Sequence, residues 1–150
     1  MPTPIILCGK YEEMGKLLKE AISPDFEVVH FVDSPEAGLT DIPALLQGIA
    51  PTASASKLGT GNFAQVPRAI VLGATYDDVW VASLRQAITG GLRKVPLLMP
   101  DLSNAPAVGG VAPSPAKANQ AAGVALRELK KLEVEGKLDG GYDDVFTYRI

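Results

Sequence analysis

Two short segments of the chain combine a tyrosine with neighbouring groups that donate or accept protons. One runs from Cys8 to Tyr11 and the other from Gly73 to Asp77. Phenol and ammonium groups transfer protons when they are removed from water, and phenol rings stack on planar molecules. The two segments therefore predict a site for a small organic metabolite, with Tyr11, Tyr76 and Asp77 as catalytic residues. The ligand-binding residues that we predict are Cys8, Gly9, Lys10, Gly73, Thr75 and Asp101.

Hydrophobic periodicity predicts the elements that position these residues. Predicted strands cover residues 5–8, 26–32, 68–74 and 95–99, and predicted helices cover 11–22, 76–88 and 114–136. A further helix begins after a Ser34 cap with Pro35 at its first position. We expect its regular part to start at about Asp41, because Pro43 disrupts a helix interior. Its predicted buried residues are Ile42, Leu45, Leu46 and Ile49.

Four strands that each precede a helix are typical of right-handed parallel crossovers. The predicted fold is α/β, a three-layer open parallel sheet of Rossmann-like or flavodoxin-like type with strand order 2-1-3-4. Pro96 places the fourth strand at a sheet edge. We expect one domain over residues 1–150, in which residues 137–150 form an extended tail that joins a sheet edge or crosses to a second subunit.

The strand order predicts where a ligand binds. In open sheets the ligand lies beyond the carboxyl ends of the strands, where the winding reverses, here between the first and third strands. Residues 101–113 follow the fourth strand and would form a mobile cover on that side. Residues 50–67 precede a strand and are expected at the opposite rim.

Composition narrows the class of protein. The 150 residues are 47% hydrophobic and 21% charged, which is typical of a globular domain, and the net charge of -3 disfavours a nucleic-acid partner. No apolar stretch is long enough to span a membrane. One cysteine and one histidine favour neither a disulfide nor a metal site. We expect a cytoplasmic homodimer.

Two resemblances follow from the strand ends. Residues 8–15 and 26–33 resemble the first β-α-β unit of NAD(P)-binding hydroxyacid dehydrogenases, and this resemblance implies that Asp33 contacts the adenine ribose. In this chain Tyr11 and Gly15 do not complete the Gly-x-Gly-x-x-Gly spacing, and Glu12 with Glu13 would repel a pyrophosphate. The pattern Gly-x-x-Tyr-Asp-Asp at residues 73–78 resembles a set of small fungal Rossmann-like proteins.

Three functions stay open at this point. The first is a small-molecule-binding protein that acts without a cofactor as an acid/base enzyme of isomerase, cyclase or dehydratase type. The second is an NAD(P)-binding protein with a degenerate phosphate loop. The third is a noncatalytic protein-interaction module that uses its edge strand or tail. Asp77 and Asp78, with Asp33 and Asp101 as neighbours, would form a carboxylate cluster for acid/base work or for a hard cation. Helix capping alone explains Asp78 and the position of Asp77 in the first turn, and it is the favoured interpretation of the two residues.

Overall fold

The computed structural model describes residues 3–9, 12–23, 25–50, 58–61, 66–73, 76, 78–88, 95–100, 115–138 and 145–148. Strands and helices alternate along the whole chain. Their order is β1 (Thr3–Cys8), α1 (Glu12–Ile22), β2 (Phe26–Val32), α2 (Pro35–Leu46), β3 (Ile70–Leu72), α3 (Asp78–Ala87), β4 (Leu97–Pro100), α4 (Pro115–Val134) and β5 (Val145–Tyr148).

The strands form one parallel sheet in the order β2-β1-β3-β4-β5. The predicted order 2-1-3-4 is confirmed. The tail adds to a sheet edge, since β5 pairs with β4. The expectation that β4 is an edge strand is therefore wrong. Pro96 is tolerated because it lies just before β4, where its carbonyl accepts the Ile70 N–H at 3.1 Å and no ladder donor is required of it.

Two apolar clusters lie on the two faces of the sheet and create three layers. Because successive side chains of a strand point to opposite faces, Ile5 and Leu7 join one cluster while Ile6 and Cys8 join the other. The first cluster receives α1 and α4, including Leu18. The second receives α2 and α3, with the buried residues Ile42, Leu45, Leu46, Trp80, Val81 and Leu84.

Helix α2 differs from the prediction at both ends. It is continuous from Pro35 through Pro43, so the expected start at Asp41 is wrong. The Ser34 hydroxyl accepts the Ala37 N–H at 3.2 Å, and this cap holds the first turn ahead of Pro43. Ile49 lies beyond the helix and is 55% exposed, so its assignment to the buried face is also wrong.

Residues 58–61 lie along the outer edge of β2, not at the amino-terminal rim where they were expected. The amides of Thr60 and Gly61 donate to the carbonyls of Val28 and Val29, at 2.9 and 3.0 Å. The β1–β2 register shifts at this point: Ile5 pairs with Val28 and Ile6 with His30, so Val29 has no register partner on β1. A Cβ at Gly59 would lie 2.5 Å from the Val29 oxygen. Only glycine allows this backbone approach, and the segment covers part of an otherwise open edge.

Candidate functional site

The floor of the predicted crevice is formed by two glycines at the carboxyl ends of β1 and β3. The Gly73 N–H donates to the Cys8 carbonyl at 2.8 Å, and the Gly9 N–H donates to the Val32 carbonyl at 2.9 Å. A Cβ at Gly73 would lie 3.3 Å from the Cys8 oxygen and 3.6 Å from the Gly9 Cα. A Cβ at Gly9 would lie 3.2 Å from the Phe31 ring. The glycines thus let the two strand ends approach closely, so that backbone forms the floor.

The buried Tyr76 side chain holds the end of β1 in place by hydrogen bonds to the backbone. Its side chain is 1% exposed, and its hydroxyl lies 3.0 Å from the Gly9 carbonyl and 3.2 Å from the Val32 carbonyl. The single hydroxyl hydrogen is shared between these two acceptors. The ring makes an edge contact with Trp80 at 4.7 Å between centroids, and the Trp80 indole N–H donates to the Pro35 carbonyl at 2.7 Å. Tyr76 thereby connects the ends of β1 and β2 to α3.

The acidity of the Tyr76 phenol is suppressed. Burial is the main cause that raises its pKa, and Cys8, Asp33 and Glu36 raise it further. An un-ionised phenol is the form that donates to the two carbonyls. The hydroxyl therefore acts as a fixed hydrogen-bond donor within the fold.

Cys8 is the last residue of β1 and is completely buried. Burial raises the pKa of its thiol well above the usual value. The thiolate is the nucleophilic form of cysteine, so this environment disfavours nucleophilic chemistry. Cys8 contributes its carbonyl, not its sulfur, to the contact with Gly73.

Acidic residues surround the carboxyl-end rim of the sheet. Each helix that follows a strand starts at this rim, and the first turns of α1, α2 and α3 carry Glu12, Glu13, Glu36 and Asp78. Asp33 adds a partly exposed side chain directly after β2. These carboxylates suit the positive ends of the helix dipoles. They also oppose a phosphate group, which needs the same helix ends.

The structure brings together four of the predicted site residues, Cys8, Gly9, Gly73 and Tyr76. The other predicted residues lie outside the described residues. They are Lys10, Tyr11, Thr75, Asp77 and Asp101. Within the described ranges, no group of three or more His, Cys, Asp and Glu side chains is arranged to hold a metal ion.

A buried polar pair was missed by the sequence analysis. His30 on β2 places its Nε2 3.0 Å from a carboxylate oxygen of Asp41 on α2, and the two residues are 7% and 0% exposed. The sequence contained a signal, because Asp41 falls on the buried stripe of α2, four residues after Ala37 and four before Leu45. A charged residue on that stripe needs a buried partner, and His30 is adjacent in the fold.

Comparison with known proteins gives one partial match. The chain is 31% identical over 87 residues to "Kojic acid related protein 6" of Aspergillus oryzae, which covers 58% of this chain and 51% of that protein. The chain thus spans about half the length of the relative that it matches. No protein-family model and no solved structure matches the chain, so the resemblance to dehydrogenases gains no support from either comparison. None of the helices in the described ranges has the length and apolar character to span a membrane.

Proposed function

We propose that this chain binds a small, uncharged organic metabolite at the carboxyl ends of β1 and β3. The observation that carries the proposal is the backbone floor formed by Gly9 and Gly73 at the point where the sheet reverses its winding. Helix α1 leaves β1 toward one face, whereas α2 and α3 pack on the other. Open α/β sheets bind ligands in the crevice that this reversal creates.

The electrostatics of the rim favour an uncharged ligand over a dinucleotide. Glu12 and Glu13 occupy the first turn of α1, where a dinucleotide places its pyrophosphate. A neutral ring with carbonyl and hydroxyl groups avoids this repulsion and still accepts and donates hydrogen bonds. The name of the Aspergillus relative refers to kojic acid, which is a planar hydroxylated pyranone of that chemical class. Kojic acid is therefore the first ligand to test.

We further propose that the bound molecule undergoes acid/base chemistry without a cofactor. In an isomerisation, Asp77 would take a proton from carbon while Tyr11 gives a proton to the carbonyl oxygen, and the reverse transfers at a neighbouring position would complete the reaction. The step needs no oxidant or reductant. Because the Tyr76 hydroxyl is bonded to two backbone carbonyls, we assign it the positioning of the floor in place of the proton transfer first predicted for it.

A titration followed by amide NMR tests the binding site. Kojic acid added to isotopically labelled protein should shift the amide signals of Gly9 and Gly73 and leave those of Gly48 and Gly123 unchanged. Both control glycines are exposed: Gly48 follows the carboxyl end of α2, and Gly123 lies within α4. Shifts confined to other residues would place binding elsewhere. A parallel titration with NADH should leave all four signals in place, whereas saturable shifts at Gly9 with NADH would establish the dinucleotide alternative.

The acid/base assignment has its own test. Once a substrate turns over, Tyr11→Phe and Asp77→Asn should each lower kcat by about 10²-fold or more while the Gly9 and Gly73 amides still respond to ligand. Unchanged turnover in both variants would refute the assignment and leave the binding proposal intact.

A further inference from the structure

The last strand enters the sheet by a connection of opposite hand to the others. The steps β2–α2–β3 and β3–α3–β4 move along the sheet in one direction with their helices on one face. The step β1–α1–β2 moves in the other direction with its helix on the other face, so it has the same hand. The step β4–α4–β5 moves in the same direction as β3–α3–β4, yet α4 packs beside α1 on the opposite face.

This difference sets β5 apart. Crossovers between parallel strands of one sheet are right-handed in about 98% of cases. Three of the four crossovers share one hand, as expected for right-handed connections, and β4–α4–β5 within a single chain is then left-handed. The expectation of right-handed crossovers concerned the four predicted strands, β1 to β4, whose three crossovers share one hand; the step into β5 was not part of it.

The edge of β4 nevertheless needs a strand. Leu97, Leu98 and Met99 are 0 to 9% exposed, and an unpaired edge beside such apolar residues is prone to association. β5 pairs with this edge of β4 at four register positions, from Leu97 with Val145 to Pro100 with Tyr148. The register therefore specifies that β5 is the strand that pairs with β4. Whether β5 comes from the same copy of the chain or from a second copy depends on the connection between α4 and β5.

That connection has a fixed start. The turn after α4 is held by the Lys137 N–H, which donates to the Leu132 carbonyl at 2.9 Å. Leu138 is buried in the first apolar cluster, and its carbonyl accepts a hydrogen bond from Arg68 at 3.3 Å. Six residues, Asp-Gly-Gly-Tyr-Asp-Asp, separate Leu138 from Val145.

We propose that β5 is exchanged between two copies of the chain. The β5 strand of one protomer would pair with β4 of its partner in the register described above, and the partner would return its own β5. Every β4–β5 hydrogen bond is kept, and no left-handed crossover is needed within one sheet. Exchange of an identical element is a low-cost route to a symmetric dimer.

The exchange would also bring the two chains together near the proposed binding rim. Because β5 is parallel to β4, its last residue Tyr148 pairs with Pro100 at the carboxyl end of the sheet. The carboxyl-terminal end of one protomer would then lie at the rim of the other. The exchange itself does not depend on the proposed function, since it rests on sheet topology alone.

Engineered disulfides between two differently tagged chains test the exchange. One chain carries Met99→Cys and the other Thr147→Cys, both with Cys8→Ala, and they are expressed together and oxidised. Register partners on neighbouring strands lie about 4.8 Å apart, which is within the range that a disulfide spans. Exchange predicts a covalent heterodimer that contains one chain of each kind. A chain with both cysteines that closes an internal disulfide as a monomer would overturn the proposal, as would the absence of the covalent heterodimer.

Native mass spectrometry gives a second, independent readout. The unmodified chain should have twice its mass of 15.7 kDa, and truncation after Gly141 should give a monomer. A monomeric full-length chain, or a dimer that survives the truncation, would overturn the proposal. Because truncation leaves the β4 edge open, Phe146→Asp in the full chain is the companion variant and should also lower the dimer fraction.

Discussion

Replacing Tyr76 by phenylalanine should lower the free energy of unfolding of the ligand-free protein. The substitution keeps the ring against Trp80 and removes only the hydroxyl that donates to the carbonyls of Gly9 and Val32. Val32 still accepts the Gly9 N–H, so the loss falls mainly on the Gly9 carbonyl. A buried hydrogen bond contributes about 1 kcal/mol, and an acceptor left unsatisfied costs about 1 to 3 kcal/mol. We expect the free energy of unfolding to fall by about 1 to 3 kcal/mol.

Urea unfolding measures this loss directly. The midpoint should move to lower urea with an unchanged m value, since the surface exposed on unfolding stays the same. Ser83→Ala is the matched control, because Ser83 is exposed on α3 one turn from Trp80, and it should change stability by less than about 0.5 kcal/mol. Tyr76→Leu also removes the ring contact and should be more destabilising than Tyr76→Phe. If Tyr76→Phe has the same urea midpoint as Ser83→Ala, the hydrogen bonds from the Tyr76 hydroxyl to Gly9 and Val32 do not stabilise the fold, and the reasoning is refuted.

Three further predictions concern other parts of the fold. Gly59→Ala forces a Cβ to within 2.5 Å of the β2 backbone and should lower the free energy of unfolding by about 1 to 3 kcal/mol. Gly123→Ala, on the open face of α4, is the control and should raise it by about 0.5 to 1 kcal/mol. Equal urea midpoints for the two variants would contradict the packing of residues 58–61 against β2. Asp41→Ala should lower the free energy of unfolding by about 1 to 3 kcal/mol, because the buried His30 loses its contact with the carboxylate. Asp41→Asn keeps an acceptor oxygen and should lower the free energy of unfolding by less. A larger loss in Asp41→Asn than in Asp41→Ala would refute the pair as a stabilising contact. Burial raises the pKa of the Cys8 thiol, so the stability that this shift contributes is fully present below the ordinary thiol pKa of 9.0 and is lost as the pH rises above it, because the unfolded chain ionises first. Between about one pH unit below and about one above 9, the free energy of unfolding measured in urea should therefore fall less in Cys8→Ala than in the unmodified chain. An identical fall in both proteins would be inconsistent with a buried thiol.

The elements could be predicted because their signals are local, and the order of β1 to β4 follows from the rules for open sheets built of alternating strands and helices. The β-branched and aromatic run of β2 gives its bounds, Phe26–Val32, without error, and the apolar stripe of α1 gives that helix to within one residue. Pro43 misled the prediction, because propensity treats it as a helix breaker while the Ser34 cap and the buried stripe hold α2 together. The position of β5 depends on pairing between residues distant in sequence, which periodicity cannot specify.

Only part of the geometry of the candidate site could be predicted from the sequence. The strand order predicts that Gly9 and Gly73 lie together at the carboxyl ends of β1 and β3, and their backbone contacts agree with this, whereas the binding of a ligand there stays a prediction. The direction of the Tyr76 side chain could not be predicted, because a tyrosine before a helix can face either solvent or the sheet. Its two acceptors are backbone carbonyls, which carry no sequence signal. The pair of His30 with Asp41 is long-range in the same sense, since neither residue identifies the other in the sequence.

Native mass spectrometry of the protein after incubation with a small-molecule extract of the cells that produce it tests the binding proposal most directly. We expect an adduct of one small organic molecule on each chain, retained by Gly123→Ala and weakened by Gly73→Ala, which adds a methyl group to the floor of the crevice. An adduct with the mass of a dinucleotide, equal retention by the two variants, or a spectrum free of ligand would contradict the proposal.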